Sequence, residues 1–176
     1  MAIKELIERI EVGTGGASSI TFSSIPQTFT DLVLVLSGRT NRSTVYSDIL
    51  IKLNSSTANF THRQLYGTGS STASWTASAG YLGAISANTS TANTHGSMSI
   101  YIPNYAGATA KSISADSVSE NNATAAQAAI GAILWNSTTA ITSVELYPDA
   151  SASFQEFSSA SLYGITAGTD GITTVS

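Results

Sequence analysis

The stretch DILIKL (residues 48–53) places an apolar side chain at every second position, with Lys52 between two of them. Successive side chains of a β-strand point to opposite faces of a sheet, so this period of two predicts a strand with one buried face. The stretch SMSIYI (97–102) repeats the pattern, with Tyr101 on the other face. A third stretch, DLVLVLSG (31–38), is apolar at consecutive positions, so we expect it in the middle of a sheet with both faces covered.

Further short apolar segments recur along the chain, separated by clusters of glycine, serine, threonine and asparagine. Such clusters mark turns, and no long helical period connects the segments. We predict an all-β protein, a single domain folded as an antiparallel β-sandwich of the jelly-roll type with about 8–9 strands. The strands are predicted near residues 5–12, 18–23, 31–38, 48–53, 97–102, 112–118, 130–136, 141–147 and 157–165.

Two segments fit this pattern less well. Residues 121–135 (NNATAAQAAIGAILW) contain alanines that favour a helix, but we prefer a loop leading into a strand that begins at residue 130. Residues 68–97 are rich in small polar side chains, and we expect a long surface excursion with a short strand near Tyr81–Ile85. Long loops at one end of a sandwich commonly carry binding sites, which makes this segment a candidate binding region.

The composition limits the partners that the chain can have. Charged residues make up 10% of it, while serine and threonine together fill 52 of its 176 positions. A surface solvated by hydroxyls needs little desolvation of charge when it packs against copies of itself. The formal net charge is −4, and no basic stripe is present to neutralise phosphates, so we expect no nucleic-acid partner. No apolar run approaches the roughly 18 residues of a membrane span, so we also expect no membrane partner.

The sequence offers little for catalysis or metal binding. There is no cysteine, and His62 and His95 are 33 positions apart, outside any metal-binding spacing. The stretch GSSTA (69–73) resembles a GxSxG nucleophile elbow but lacks its second glycine. The acidic residues are scattered, without a calcium-loop motif or a paired-carboxylate constellation. We therefore expect a non-enzymatic protein with no metal and no cofactor.

Aromatic residues raise one possibility of binding. Trp75, Tyr81 and His95 fall within residues 68–97, among many hydroxyl and amide groups. Sugar rings stack on flat aromatic faces and their hydroxyls pair with polar side chains, so these three residues are candidates for contact with a glycan or a partner. The alternative is that Trp75 caps the end of the core or packs against another subunit.

The N-terminal segment, residues 1–12, is a candidate anchor to another protein. Its Leu6, Ile10 and Val12 form one apolar stripe in a strand, opposite a charged stripe. We expect the sandwich itself to span residues 13–165, and residues 166–176 to form a flexible tail.

The closing stretch FSSASLYGI (157–165) has the composition of a buried strand with unusually small side chains. Small residues let a second layer approach closely, and a glycine relieves crowding or marks a bulge. The stretch is predicted to be either a closing core strand or a strand that meets the same strand of another subunit. The residues singled out for this packing are Ser159, Ser161, Tyr163 and Gly164.

Several longer phrases resemble a family of tailed-phage proteins that is common among marine and cyanobacterial phages. The phrases are SSITFSSIPQTFTDLVLVLSGR (18–39), RQLYGTGSS (63–71), IYIPNYAG (100–107), ADSVSENNAT (115–124) and SASLYGI (159–165). The resemblance spans residues 3–165. It implies a jelly-roll fold and a virion location after synthesis in the host cytoplasm, and it brings no active-site residues.

The expected function is that of a bacteriophage virion structural protein, specifically a capsid decoration or cement protein. A compact, weakly charged sandwich that closes into a symmetric oligomer suits a symmetric lattice, and a homotrimer fits best. Its partners would be copies of itself and the major capsid protein or another virion protein. The alternative is a tail fibre, tip or surface protein that recognises host polysaccharide through residues 68–97.

Overall fold

The computed structural model describes residues 3–122 and 125–166, and within these ranges the chain forms twelve β-strands and no helix. The strands are β1 (Ile3–Glu11), β2 (Ile20–Phe22), β3 (Asp31–Gly38), β4 (Tyr46–Leu53), β5 (Phe60–Gly67), β6 (Thr72–Ala77), β7 (Tyr81–Ser86), β8 (Gly96–Ile102), β9 (Lys111–Ser119), β10 (Gln127–Trp135), β11 (Val144–Pro148) and β12 (Ser159–Thr166).

The strands form two sheets in which every neighbouring pair is antiparallel. The large sheet has the order β1-β12-β3-β8-β9-β10-β5-β6, and the small sheet has the order β2-β11-β4-β7. The predicted all-β antiparallel sandwich is confirmed. The count of 8–9 strands was too low for the described part of the chain, and the jelly-roll type stays a prediction.

The core lies between the two sheets, as the period of two predicts. Strands β9 and β10 alternate strictly between buried and exposed residues along their whole lengths. In β3, which lies between β12 and β8, Leu32, Leu34 and Leu36 are fully buried, and each contributes about 1.5–3 kcal/mol to stability. The expectation that both faces of this stretch are covered is wrong, because Val35 on the other face is 39% exposed.

Strands β5 and β6 were missed by the sequence analysis because their patterns run against the usual rule. In β5 the buried positions include His62 and Gln64, whereas Leu65 is exposed. The polar and apolar positions are thus exchanged relative to an ordinary half-buried strand. Strand β6 (TASWTA) consists mainly of small residues that carry no hydrophobic signal, and it pairs with β5 as a hairpin.

The structure also corrects the predictions for the two segments that fitted the strand pattern poorly, residues 68–97 and 121–135. The short strand predicted near Tyr81–Ile85 is confirmed as β7, which lies in the small sheet with Leu82 and Ile85 fully buried. The rest of the prediction for residues 68–97 is wrong, because β6 lies at one edge of the large sheet and the segment is therefore not a surface excursion. In the segment 121–135, strand β10 begins at Gln127 and not at residue 130. Residues 123 and 124 lie outside the described ranges, as does the predicted tail beyond Thr166.

The N-terminal strand is an integral part of the large sheet. β1 pairs with β12, and a bulge between Leu6 and Glu8 interrupts the register. Because a bulge shifts the alternation by one residue, Leu6 is 51% exposed while Ile10 packs against the core and Val12 is buried. The predicted stripe of Leu6, Ile10 and Val12 is therefore divided, and only Leu6 is freely available to a partner.

The closing strand β12 lies between β1 and β3, so it is an internal strand of the sheet. Its buried face carries Ala160, Leu162 and Gly164, whereas Ser159, Ser161 and Tyr163 are half-buried on the other face. A Cβ atom at Gly164 would lie 2.3–2.5 Å from ring atoms of Phe29, so the glycine makes room for this ring. The small face of the strand thus meets the core of its own molecule.

Candidate functional site

The structure brings together two of the three aromatic candidates. The rings of Trp75 and Tyr81 meet edge to face with their centroids 4.8 Å apart. The buried His62 ring contacts both, at 4.7 Å from Trp75 and 5.9 Å from Tyr81. Trp75 is itself only partly buried, so part of this residue remains exposed to solvent while two neighbouring rings contact its indole.

His95 does not join this cluster. It directly precedes β8, which is four strands away from β6 in the large sheet, a separation of about 19 Å at the usual strand spacing. Its imidazole Nε2 instead lies 3.5 Å from the carbonyl oxygen of Glu156. The grouping of Trp75, Tyr81 and His95 in sequence therefore does not correspond to one surface site.

Beside Trp75 the protein forms a cavity of about 290 Å³, which we call the aromatic groove. Strands β4, β5, β6 and β10 contribute its lining, which consists of Tyr46, Asp48, Gln64, Tyr66, Trp75 and Gln127. Of these residues only Trp75 was a sequence candidate. The others lie on three separate strands, β4, β5 and β10, and no local signal in the sequence distinguishes the two glutamines among them, because glutamine is ordinarily exposed.

The two glutamines of the aromatic groove are buried without complete hydrogen bonding. Gln64 is 3% exposed and Gln127 is 7% exposed. Within the described residues, neither side-chain polar atom of Gln64 has a hydrogen-bond partner, and the same holds for Oε1 of Gln127. Most buried polar groups are paired, so these atoms indicate either stored strain or a ligand.

His62 lies behind these glutamines and is fully buried. Neither of its ring nitrogens has a hydrogen-bond partner among the described residues. Burial lowers the pKa of His62, and the nearby Gln64 side chain opposes part of that shift. The ring is therefore neutral at physiological pH and serves to fix Trp75 and Tyr81.

Asp48 supplies the acidic group of the aromatic groove. Burial raises the pKa of Asp48 to about 6, the neighbouring Asp149 adds to the shift, and Arg42 opposes it. Asp149 itself is held by an ion pair with Arg42 and accepts a hydrogen bond of 2.8 Å from the Ser47 hydroxyl. Asp48 is therefore a carboxyl group that changes its charge near pH 6.

We predict that replacing Asp48 alters how stability depends on pH. The folded state binds the Asp48 proton at higher pH than the unfolded chain, so the contribution of this group is largest below about pH 4 and is lost as pH rises through about 6. Asp48→Asn is expected to remove a decline on the order of 2–3 kcal/mol in the free energy of unfolding between pH 4 and pH 8. Urea unfolding of the wild type and the variant at several pH values measures this decline. Glu8→Gln, exposed on the β1 edge of the large sheet, should keep the wild-type profile, and an unchanged profile in Asp48→Asn would contradict the assignment.

A second and larger depression of about 500 Å³ lies on the same side of β4. It contains the ion pair of Lys52 and Glu145, whose charged atoms are 2.8 Å apart, and the Lys52 ammonium group stands 4.8 Å from the centre of the Tyr147 ring. Tyr81 lines this depression and also touches Trp75 of the aromatic groove. The two depressions therefore share an aromatic border.

A different surface lies on the outer face of the large sheet. Leu65, Val118 and Ile130 are 59%, 44% and 67% exposed, and Ile130 stands directly opposite Leu65 in the β5–β10 pair. Leu65, Val118 and Ile130 line one shallow depression. Together with Leu134, which is 37% exposed on the same face of β10, they form what we call the hydrophobic patch. Clusters of exposed apolar side chains of this kind mark sites of interaction between proteins.

No family model, curated protein or solved structure matches the chain. The described residues contain no group of three or more His, Asp or Glu side chains placed to hold a metal ion. They also contain no helix long and apolar enough to cross a membrane.

Proposed function

We propose that this chain is a non-enzymatic structural protein of a phage particle, a capsid decoration protein that assembles as a homotrimer and attaches to the capsid surface. The observation that carries the proposal is the hydrophobic patch on the outer face of the large sheet. Its partners are copies of the same chain and a capsid protein. The resemblance to tailed-phage virion proteins favours the same conclusion.

The strand order supports a jelly-roll architecture for this protein. Strands β1-β12-β3-β8 of the large sheet face the order β2-β11-β4-β7 of the small sheet, which is an eight-stranded core of two four-stranded halves. Successive core strands change sheet at every step except between β4 and β7, as in a double Greek key. The hairpins β5–β6 and β9–β10 then extend one half of this core. Jelly rolls of this kind are common in viral capsids.

The edges of the large sheet favour association on the side of the hydrophobic patch. The β1 edge carries Lys4, Glu5, Glu8, Arg9 and Glu11, and charged residues discourage pairing with another chain. The opposite edge, β6, has no charged residue and is largely exposed. Contacts between copies are therefore expected near β5, β6 and β10 and not at β1.

We predict that the hydrophobic patch controls the oligomeric state. The wild-type protein is expected to be a trimer at micromolar concentration, and Leu65→Ser combined with Ile130→Ser is expected to give a folded monomer, because both side chains already face solvent within one subunit. Size-exclusion chromatography with light scattering measures the mass. Phe157→Asn is the matched control: Phe157 is 68% exposed but lies outside the patch, and asparagine tolerates its φ of 66°. A monomeric wild type, or a double variant that stays trimeric, would contradict the proposed assembly.

A tail fibre, tip or surface protein that recognises host polysaccharide is the second candidate, and the aromatic groove is the observation that favours it. Sugars need aromatic faces together with amide and carboxylate groups, and the groove has all three. Quantification of the protein in purified particles separates the two candidates. A copy number that follows the capsid lattice supports a decoration protein, and a small number per particle supports a tail component.

A further inference from the structure

We propose that the aromatic groove binds a neutral saccharide, with Trp75 as the stacking platform and Gln64 and Gln127 as its buried hydrogen-bonding groups. This inference does not depend on capsid decoration; it deepens the second candidate function, with which it shares the aromatic groove. The groove and the hydrophobic patch are built from opposite faces of β5, since Gln64 is buried and the adjacent Leu65 is exposed.

The buried amides are the main argument. A buried amide without a partner opposes folding, and an apolar side chain of similar shape avoids that cost. Gln64 presents an NH₂ donor and a carbonyl acceptor, and Gln127 presents a carbonyl acceptor, all without partners among the described residues. These atoms lie just beneath the lining of the groove, each with less than 1 Å² of accessible surface, so the two side chains have to rotate to meet a ligand. A sugar hydroxyl both donates and accepts, so a ligand with several hydroxyls matches all three atoms once they are turned into the groove.

The aromatic residues are arranged to receive a flat sugar face. Tyr81 and His62 hold the Trp75 ring from two sides, which fixes its orientation before a ligand arrives. Tyr46 and Tyr66 add further aromatic surface to the same cavity. A volume of about 290 Å³ suits one sugar ring, at the small end of known ligand pockets. The depression around Lys52 continues along β4, so an oligosaccharide has room to extend in that direction.

The charges around the groove determine which saccharides fit. Asp48 lines the cavity, and Asp149 is close enough to Asp48 to raise its pKa. Arg42 does not offset both charges, because it already forms an ion pair with Asp149. A uronic acid or a sulfated sugar would bring another negative charge next to these carboxylates. An uncharged hexose instead offers hydroxyl donors, which an aspartate accepts.

The test measures binding of the full chain to arrayed neutral hexose oligosaccharides in gluco, galacto, manno and N-acetylated forms, beside oligogalacturonate. The expected result is binding to at least one neutral class, confirmed by calorimetry, and none to oligogalacturonate. Trp75→Ala is expected to weaken that binding at least tenfold. Gln64→Leu is expected to weaken it at least tenfold while raising the midpoint of urea unfolding, because the variant removes unpaired buried polar atoms. A purely structural role for Gln64 would not give this pair of results.

His95→Ala is the matched control, since His95 precedes β8, four strands away from β6, and the variant is expected to bind like the wild type. Absence of binding to every neutral oligosaccharide, preference for oligogalacturonate, or wild-type affinity in Gln64→Leu would overturn the inference. None of these outcomes bears on the hydrophobic patch, whose test is the oligomeric state. Release of reducing ends from a bound oligosaccharide would agree with the proposed binding site but contradict the non-enzymatic function proposed above.

Discussion

An Arg39→Met variant is expected to lose about 3 kcal/mol of the free energy of unfolding, because a buried guanidinium group organises a whole loop. Arg39 is 6% exposed and directly follows β3. Its guanidinium donates to the carbonyl oxygens of Asn88, Ser90, Thr91 and Thr94 and to two hydroxyls, at 2.9–3.3 Å. Among the described residues no carboxylate forms an ion pair with it. The methionine side chain keeps the apolar contacts of the stem but leaves these carbonyl oxygens without their donor.

Urea unfolding followed by tryptophan fluorescence measures this loss, and an unchanged slope of the transition shows that the folded state keeps its compactness. The free energy of unfolding of Arg39→Lys is expected to fall between those of the wild type and Arg39→Met. An ammonium group still donates three hydrogen bonds, but it cannot reproduce the planar fork of a guanidinium. Arg9→Met is the control: the Arg9 side chain is 54% exposed, and its loss should change stability by less than about 0.5 kcal/mol. Equal stability of Arg39→Met and the wild type would show that the loop does not depend on Arg39.

A Gly96→Ala variant is expected to lose about 3 kcal/mol or to fail to fold. A Cβ atom at Gly96 would lie 2.8 Å from the carbonyl oxygen of Val118 and 2.9 Å from both the Cα of Ile85 and the amide nitrogen of Ser86. All three are backbone atoms, on β9 of the large sheet and β7 of the small sheet, so no side-chain rotation relieves the overlap. The two sheets would have to separate locally, and forcing extra atoms into a packed interior is destabilising.

Gly15→Ala is the matched control for this substitution, because no atom lies within 4 Å of the added Cβ. Its free energy of unfolding is expected to stay within about 0.5 kcal/mol of the wild-type value. Circular dichroism of both variants first establishes whether they fold, and urea unfolding then gives the difference. If Gly96→Ala matched Gly15→Ala in stability, the close approach of the two sheets at this point would be refuted.

The aromatic groove shows why a site of this kind is only partly visible in a sequence. Trp75 could be selected because it stands out in a segment of small polar residues. Gln64 and Gln127 could not be selected from the sequence, since glutamine is ordinarily exposed and nothing nearby in the chain distinguishes these two residues. Tyr46 and Asp48 lie on β4 of the other sheet, and their approach to Trp75 depends on how the large sheet packs around the edge of the small one. The error with His95 has the same origin, because proximity along the chain does not predict proximity across a sheet.

The amino-acid sequence by itself determined that this protein is built from antiparallel strands around an apolar core. The alternation in 48–53 and 97–102 records burial of one face directly, since neighbouring side chains of a strand point in opposite directions. Only the tertiary structure decided that β5 turns polar side chains inward and leucine outward, and that β1 divides its apolar stripe at a bulge. Both features depend on which strands become neighbours, a consequence of long-range packing for which no local pattern in the chain carries a signal.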